Sequence, residues 1–476
     1  MLLLVPLTAA CDGGDAPQVQ RACDAEPEVL ATASGVAFVR TPDACFAGLA
    51  DWPYEPQYVE LDGLRQAYID EGPANGPLVL LLHGQPSWSY LYRKMIPPLV
   101  DAGFRVIAMD HLGLGRSDKP IEIRSYSYIG HNDRLLRFIQ ELDLQEINLF
   151  AQDWGSVIGL RVAGLNPDYF ARIAIGDGRM RVIDEPLYPV VEDPDESEDI
   201  PSRFESVPAQ QFPFYDGCRR LVPRNDDSFA QWMIYAMKAS GFHPSEVLEA
   251  GTWFDLPTEV EQAYDAPYPS RIYMAGIRTF PSLINEVVGV NAEARAGLEA
   301  FERPFLTIWA GNDAGGLGGC EIQDDLICNV PGAAGQPHAR LPEASHFLQD
   351  DQGPEIARRL VSLIRNDGSI AGNHQEDCDR SDPEGPRLPV TEDGTGTACD
   401  TDAACTGQAA DHCLPVNDGQ GFCTVQGCAP GECGSIYVCC GDCDPATADL
   451  LPFAGSACVP GVASEQLEGG AGCRCE

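Results

Sequence analysis

Basic side chains are scarce in this chain. Its 476 residues carry 31 Lys and Arg against 72 Asp and Glu, a net charge of −41. Such a surface repels phosphate backbones and anionic headgroups, which argues against a nucleic acid partner and against charge-driven docking on lipid. Its simplest consequence is solubility. Long apolar runs are missing too. Beyond the N-terminus no stretch is long and apolar enough for a bilayer-spanning helix. Cysteine is sparse through the centre and crowded at the end, with thirteen of the 19 lying from Cys378 to Cys475. The tail lacks the repeated close pairs of a zinc module, so this density reads as disulfides in an oxidising compartment. The length exceeds one typical core and predicts two or three domains. A hydrophobic content of 44% supports a globular interior.

The N-terminus agrees with export. "MLLLVPLTAACDGG" is a short apolar run ending in Ala-Ala-Cys. It resembles a bacterial lipoprotein signal, in which Cys11 would take the lipid. Thr8 stands where that motif prefers leucine, and no basic residue precedes the run. A plain cleaved signal is the other reading. The expected location is the cell envelope as a lipoprotein, or the periplasm or exterior. With Cys11 lipidated, eighteen cysteines remain, an even number that could all pair.

Residues 1–35 read as this signal and a polar tether. From there apolar runs alternate with helix-like segments: "LVLLLH" (78–83), "FRVIAMD" (104–110), "INLFAQD" (147–153), "RIAIGD" (172–177) and "PFLTIWAG" (304–311). In "HNDRLLRFIQELDL", Leu135, Leu136, Ile139 and Leu142 share one helical face. Near-continuous apolar strands separated by helices imply an α/β fold, a mostly parallel sheet covered on both sides. The alternation holds over 36–177 and 302–367. Between them, 178–301 is rich in Trp, Tyr and Pro, with helix-like pieces such as "DSFAQWMIYAMKA". An insertion of that size reads as a helical cap over the sheet's carboxyl edge, where α/β folds bind ligands. Residues 368–476 read as a linker and a Cys-rich tail. From Asp377 onward the tail holds seventeen acids against three bases, and disulfides must supply what its small core cannot.

The chemistry concentrates at "AQDWG". A strand ending in small-x-nucleophile-x-small before a helix is a nucleophile elbow, here Ala151-Gln152-Asp153-Trp154-Gly155. The turn pushes Asp153 out near a helix N-terminus, which favours an anion. A carboxylate needs no base to attack an alkyl carbon, but water must then cleave the resulting ester, and that step does need one. "LPEASHFLQDD" supplies His346 and "FLTIWAGNDAGG" supplies Asp313, in the order nucleophile, acid, histidine. Each alone has an ordinary reading: a helix cap for Asp153, an exposed or structural ring for His346, a turn for Asp313. Asp110, ending "VIAMD", is a rival carboxylate at another strand end.

Residues 38–365 resemble the haloalkane dehalogenases of the α/β-hydrolase superfamily, especially the subfamily whose triad acid follows the later strand. The likeness runs in order through "RTPDACFAGLADWPYEPQYVE", "HGQPSWSYLYRKMIP", "DHLGLGRSDKP", "QDWGS", "YDAPYPSRIYMAGIRTFP" and "GAAGQPHARLPEASHFLQDD". It implies an α/β-hydrolase core with an inserted helical cap, fused here to a small disulfide-rich module. It implies a catalytic triad of Asp153, His346 and Asp313, with no metal and no organic cofactor. Trp154 and Trp232 match the indoles that hold the departing halide, a task for a donor-only, apolar ring. Trp88 and Trp253 are nearby indoles that a register shift could confuse with Trp232. The backbone N–H groups of Gln85 and Trp154 match the oxyanion hole. Gln85 departs from the family, where Glu is common and helps place the hydrolytic water. Ser156 departs where a second glycine is common.

The implied substrates are a small halogenated alkane and water. Two other functions stay open. Epoxide hydrolysis shares the elbow but needs protonated cap tyrosines, for which Tyr215, Tyr235 and Tyr273 are candidates. A surface binding protein on a retired hydrolase scaffold would use the tail for protein contacts. Among the cysteines, a local Cys320–Cys328 bridge and a Cys23–Cys45 pair are expected, with Cys218 joined to a tail cysteine.

Overall fold

The computed structural model describes residues 23, 26–186, 188, 215–216, 218–220, 228–313 and 316–378, and the backbone of five short strands beyond. Cys11 and the apolar run before it lie outside the described residues.

Eight strands form the central sheet: β1 (Gln57–Leu61), β2 (Leu64–Glu71), β3 (Leu78–Leu82), β4 (Arg105–Met109), β5 (Ile147–Gln152), β6 (Phe170–Gly176), β7 (Phe305–Ala310) and β8 (Ala339–Leu341). Their order is β8-β7-β6-β5-β3-β4-β2-β1. β2 runs antiparallel to both neighbours, and every pairing from β4 to β8 is parallel. This is the α/β-hydrolase fold. The five apolar runs became β3 to β7, and β3, β5 and β7 are buried at every position. β1, β2 and β8 were not read from the sequence. The first two form a hairpin that mixes buried and part-exposed positions, and β8 is only three residues long. The hairpin turns at Asp62 and Gly63, both at positive φ (56° and 77°), as a tight type I′ turn requires.

Each face of the sheet carries its own core. On one side lie α1 (Ile96–Asp101) and, later in the chain, Leu348–Arg365, packed through Leu99, Ile356 and Leu360. On the other lie α2 (Tyr128–Glu141), α3 (Trp154–Leu165) and, later, Ala292–Leu298, through Phe138, Ile158 and Leu298. Ser127 caps α2 by accepting from Gly130 N at 3.0 Å.

The described part of the insertion between β6 and β7 is mostly helical. It holds α4 (Ser228–Lys238), α5 (Pro244–Ala250), α6 (Thr258–Asp265), α7 (Ala275–Thr279) and a 3₁₀ stretch, Phe280–Val287, before α8 (Ala292–Leu298). Arg278 of α7 is buried and donates to Ala236 O, Met237 O and Ala239 O at 3.3, 3.2 and 2.7 Å. It thereby satisfies carbonyls that the end of α4 leaves without helical partners. α8, although inside the insertion, packs on α3 below the sheet edge.

That α3–α8 crossing is made backbone to backbone. A Cβ on Gly164 would overlap Ala294 O, and one on Gly297 would overlap Gly164 O. α9 (Cys320–Asn329) and α10 (Leu348–Arg365) complete the fold.

Three disulfides join described cysteines. Cys23–Cys45 forms as expected. The local Cys320–Cys328 bridge does not: the two residues lie at opposite ends of α9, two turns apart, too far for a disulfide. Cys320 instead pairs with Cys218 of the two-strand hairpin Tyr215–Asp216/Arg219–Arg220, and Cys328 pairs with Cys378. The tail is therefore fastened to α9 of the core, not to Cys218. Before Cys378 the chain returns along β8. Asn373 N donates to His338 O (3.0 Å), and the Asn373 side chain accepts from Arg340 N and donates to Arg340 O, both at 2.8 Å. In the tail, backbone pairing sets Cys413 opposite Cys423 and Cys439 opposite Cys458. Among the described residues no helix is long and apolar enough to cross a membrane.

Because α3 carries the elbow, its seat on α8 positions the site. Gly297→Ala is expected to force the two helices apart and cost about 1–3 kcal/mol. Urea unfolding of the variant against the parent checks this; an unchanged midpoint contradicts the close crossing.

Candidate active site

The ends of β3, β5, β6, β7 and β8 converge on one small region. β5 ends at Gln152 and α3 starts at Trp154, so Asp153 alone makes the turn, at φ 50° and ψ −127°. Non-glycine residues rarely accept this region, at a cost of about 1–3 kcal/mol. Three features hold it there. Asp153 N donates to Asp177 O (3.1 Å), Ser156 N and Oγ both donate to Asp153 O (2.9 and 2.5 Å), and the neighbours are small. A Cβ on Gly155 would overlap Leu82 O, and one on Gly84 would overlap the Asp153 carboxylate. Ser156 thus fits and contributes: its Oγ also accepts from Arg179 N at 3.1 Å.

The Asp153 carboxylate is divided between two partners. Oδ1 accepts from Gln85 N at 2.9 Å. Oδ2 lies 3.6 Å from His346 Nε2, with 17% of the side chain exposed. The other ring nitrogen of His346, Nδ1, is 3.1 Å from Asp313 Oδ2, and the Asp313 side chain is fully buried. Burial disfavours the imidazolium, but the neighbouring carboxylates of Asp313 and Asp153 outweigh it, and the ring is held well above the ordinary histidine range.

The loops bearing Asp313 and His346 are stitched together. Asn312 N donates to Ala344 O (3.0 Å), and Asn312 Nδ2 donates to Pro342 O (3.0 Å). Asn312 Oδ1 accepts from Tyr215 N of the disulfide-tied hairpin at 3.4 Å. Gln152 Nε2 donates to His346 O at 2.9 Å. Asp351 accepts from Ser345 N, Trp253 N and Phe254 N at 2.9, 2.8 and 3.1 Å, joining the histidine turn to the insertion.

Asp153, His346, Asp313, Gln85 and Trp154 are therefore brought together. Trp154 is buried, its ring edge-on to Phe280 at 5.6 Å. Gln85 also reaches the insertion, since its Nε2 donates to Ile277 O at 2.8 Å. Trp232 is half-buried in α4 and lies against Tyr235 and Phe242, with ring centroids 6.1 and 6.0 Å away. The rival carboxylate Asp110 is structural: its oxygens accept from Ser89 N and Arg116 N, each at 2.8 Å. Trp88 is fully buried, and its Nε1 donates to Ala263 O at 3.1 Å.

One residue escaped the sequence reading. Asp177, directly after β6, is fully buried beside Asp313 and His346, and oxygens of the two carboxylates and a nitrogen of the ring lie within 4.8 Å of one another. The signal was there, because "RIAIGD" ends in a carboxylate as "INLFAQD" does; no elbow motif surrounded it.

This sheet order, with a strained carboxylate at the β5–α3 turn and a histidine–acid pair from later loops, defines an α/β-hydrolase with an aspartate in the nucleophile position. A family model described as alpha/beta hydrolase fold matches residues 77–220. The haloalkane dehalogenase of Mycolicibacterium paratuberculosis is 39% identical over 334 residues, covering 68% of this chain and 97% of that protein. That of Psychrobacter cryohalolentis is 36% identical over 338 residues, covering 69% and 98%. Among solved structures, the haloalkane dehalogenase DpaA from Paraglaciecola agarilytica NO2 superposes with a TM-score of 0.54 at 30% identity, covering 68% of this chain and 97% of that one. The chain belongs to the haloalkane dehalogenase family.

If His346 is held up by two carboxylates, removing either charge must lower its pKa. Asp153→Asn and Asp313→Asn are each expected to drop the imidazole by about one unit or more, read by NMR titration of the His346 ring. A rise, or no change in both, contradicts the arrangement.

Proposed function

We propose that the chain hydrolyses carbon–halogen bonds, converting R–X and water into R–OH, halide and a proton. The observation that carries this is the continuous contact Gln85 N–Asp153–His346–Asp313 at the carboxyl edge of the sheet, in a chain of this family.

Asp153 Oδ1 is engaged by Gln85 N–H, so Oδ2 is the oxygen left to attack carbon in line with the leaving halide. A halide leaves as an anion and requires no proton, only weakly hydrated N–H donors in a dry site. The indoles of Trp154 and Trp232 take that role. The product of this step is an alkyl ester on Asp153. Its carbonyl oxygen is Oδ1, which remains in the oxyanion hole of Gln85 N and Trp154 N as water attacks. His346 removes the proton from that water, and Asp313 fixes its tautomer. The chemistry is timed by charge. Before alkylation two carboxylates favour the imidazolium; esterification cancels the Asp153 charge, the histidine pKa falls, and the ring becomes free to act as a base. Atoms and charge balance without a metal or organic cofactor.

The aromatic insertion suits a small apolar alkyl halide. Gln85 in place of Glu keeps the backbone donor and gives up a negative charge beside the water, which should alter rate or pH dependence while leaving the pathway intact. Export accords with the disulfides and the lipoprotein-like start, with Cys11 as the anchor and the tail as a site of protein contacts.

The test is halide release from 1-bromobutane. Asp153→Asn should lose at least about a thousandfold in kcat. His346→Ala should release one equivalent of bromide and retain a butyl adduct on Asp153, seen by mass spectrometry. No release from the wild type, or undiminished turnover in Asp153→Asn, defeats the assignment; turnover of an epoxide alone would favour the epoxide-opening reaction.

The two indoles are separable. Trp154→Phe and Trp232→Phe should each slow bromide release by about tenfold or more and weaken chloride binding, followed by quenching of the remaining tryptophan fluorescence. An unaffected Trp232→Phe would assign the second donor to another group.

A further inference from the structure

Asp177 and Asp313 occupy successive strand ends and are both sealed from solvent. Each has one oxygen committed. Asp177 Oδ1 accepts from Ala310 N at 2.8 Å, and Asp313 Oδ2 faces His346 Nδ1 at 3.1 Å. Each has one oxygen, Asp177 Oδ2 and Asp313 Oδ1, buried with no hydrogen-bond partner among the described residues. Two ionised carboxylates placed so close, each with an idle oxygen, would be an expensive arrangement for a dry interior. A single proton between them resolves both deficits.

We propose that Asp177 is a positioning residue of the triad: it keeps its proton and donates through Oδ2 to Asp313 Oδ1, so that both oxygens of Asp313 are hydrogen-bonded. This rests on Asp313 being the triad acid.

The surroundings support protonation of Asp177. Burial and the neighbouring Asp313 charge push the Asp177 carboxyl well above the usual carboxylate range. The charged groups that face it are Asp313 from the loop after β7, His346 from the loop before α10 and Arg340 from β8. The Arg340 guanidinium is engaged elsewhere, donating to Gly318 O (2.6 Å) and Gln323 Oε1 (3.3 Å). The imidazole sits on the Asp313 side, where the negative charge is needed. Asp177 has a second duty, because its carbonyl accepts from Asp153 N and so holds the elbow. One residue thereby braces the nucleophile through its backbone and the acid through its side chain.

The experiment uses the full chain and begins without substrate. Infrared spectra at neutral pH should show a protonated carboxylic acid band that Asp177→Asn removes, while the His346 pKa stays within a few tenths of wild type. Asparagine reproduces the protonated acid, with Oδ1 accepting from Ala310 N and Nδ2 donating to Asp313. With 1-bromobutane, Asp177→Ala should lower kcat about tenfold or more with little change in KM, as a loosened triad would, and Asp177→Asn should restore most of that loss. A missing band, or a His346 pKa that falls by about a unit in Asp177→Asn as in Asp313→Asn, overturns the proposal, because Asp177 would then be ionised. Should Asp177→Ala fail to fold, the band and the titration decide. Neither needs turnover, so absence of dehalogenation would sink the proposed reaction without touching this result.

Discussion

A carboxylate can act on a substrate only if the backbone delivers it to the open side of the sheet. At Asp153 this means φ 50°, a conformation that would relax if left alone. The fold prevents relaxation from every direction. The Asp177 carbonyl holds its N–H, Ser156 holds its carbonyl twice over, and Gly84 and Gly155 leave the space that the turn needs. The seat of α3 on α8, through two glycines, sets where the turn sits. The helix packing, the strand order and the small residues thus converge on one torsion angle.

Electrostatics builds on that geometry. His346 stands between two carboxylates of different exposure: Asp313 is sealed, and Asp153 retains an open edge. A sealed charge is screened by nothing and acts continuously on the ring. In the proposed reaction the open one loses its charge on esterification. Under that proposal the same histidine is a partner for the nucleophile in one half of the cycle and a base in the other.

Much of this was legible in the residues. The five apolar runs marked the parallel strands because burial on both faces removes alternation, and the order of Asp153, Asp313 and His346 followed strand ends. The elbow was readable because its spacing is dictated by steric limits local to five residues. What could not be read depended on distant pairing. Nothing within "FRVIAMD" says that Asp110 spends both oxygens on loop N–H groups, and nothing within "RIAIGD" says that Asp177 lies beside Asp313. The cysteines show the same limit. Cys320 and Cys328 are near in sequence, but the helix between them carries them apart, and their partners lie 102 and 50 residues away.

Asn373 gives the tail a structural meaning of its own. Its amide meets both outward-facing groups of Arg340, standing in for the next strand beside β8. An uncovered strand invites edge-to-edge association with other chains. A fragment trimmed directly after Arg365 would carry Asp153, Asp313 and His346 and still offer a sticky margin, so solubility of the enzyme unit begins a few residues beyond where its proposed chemistry ends.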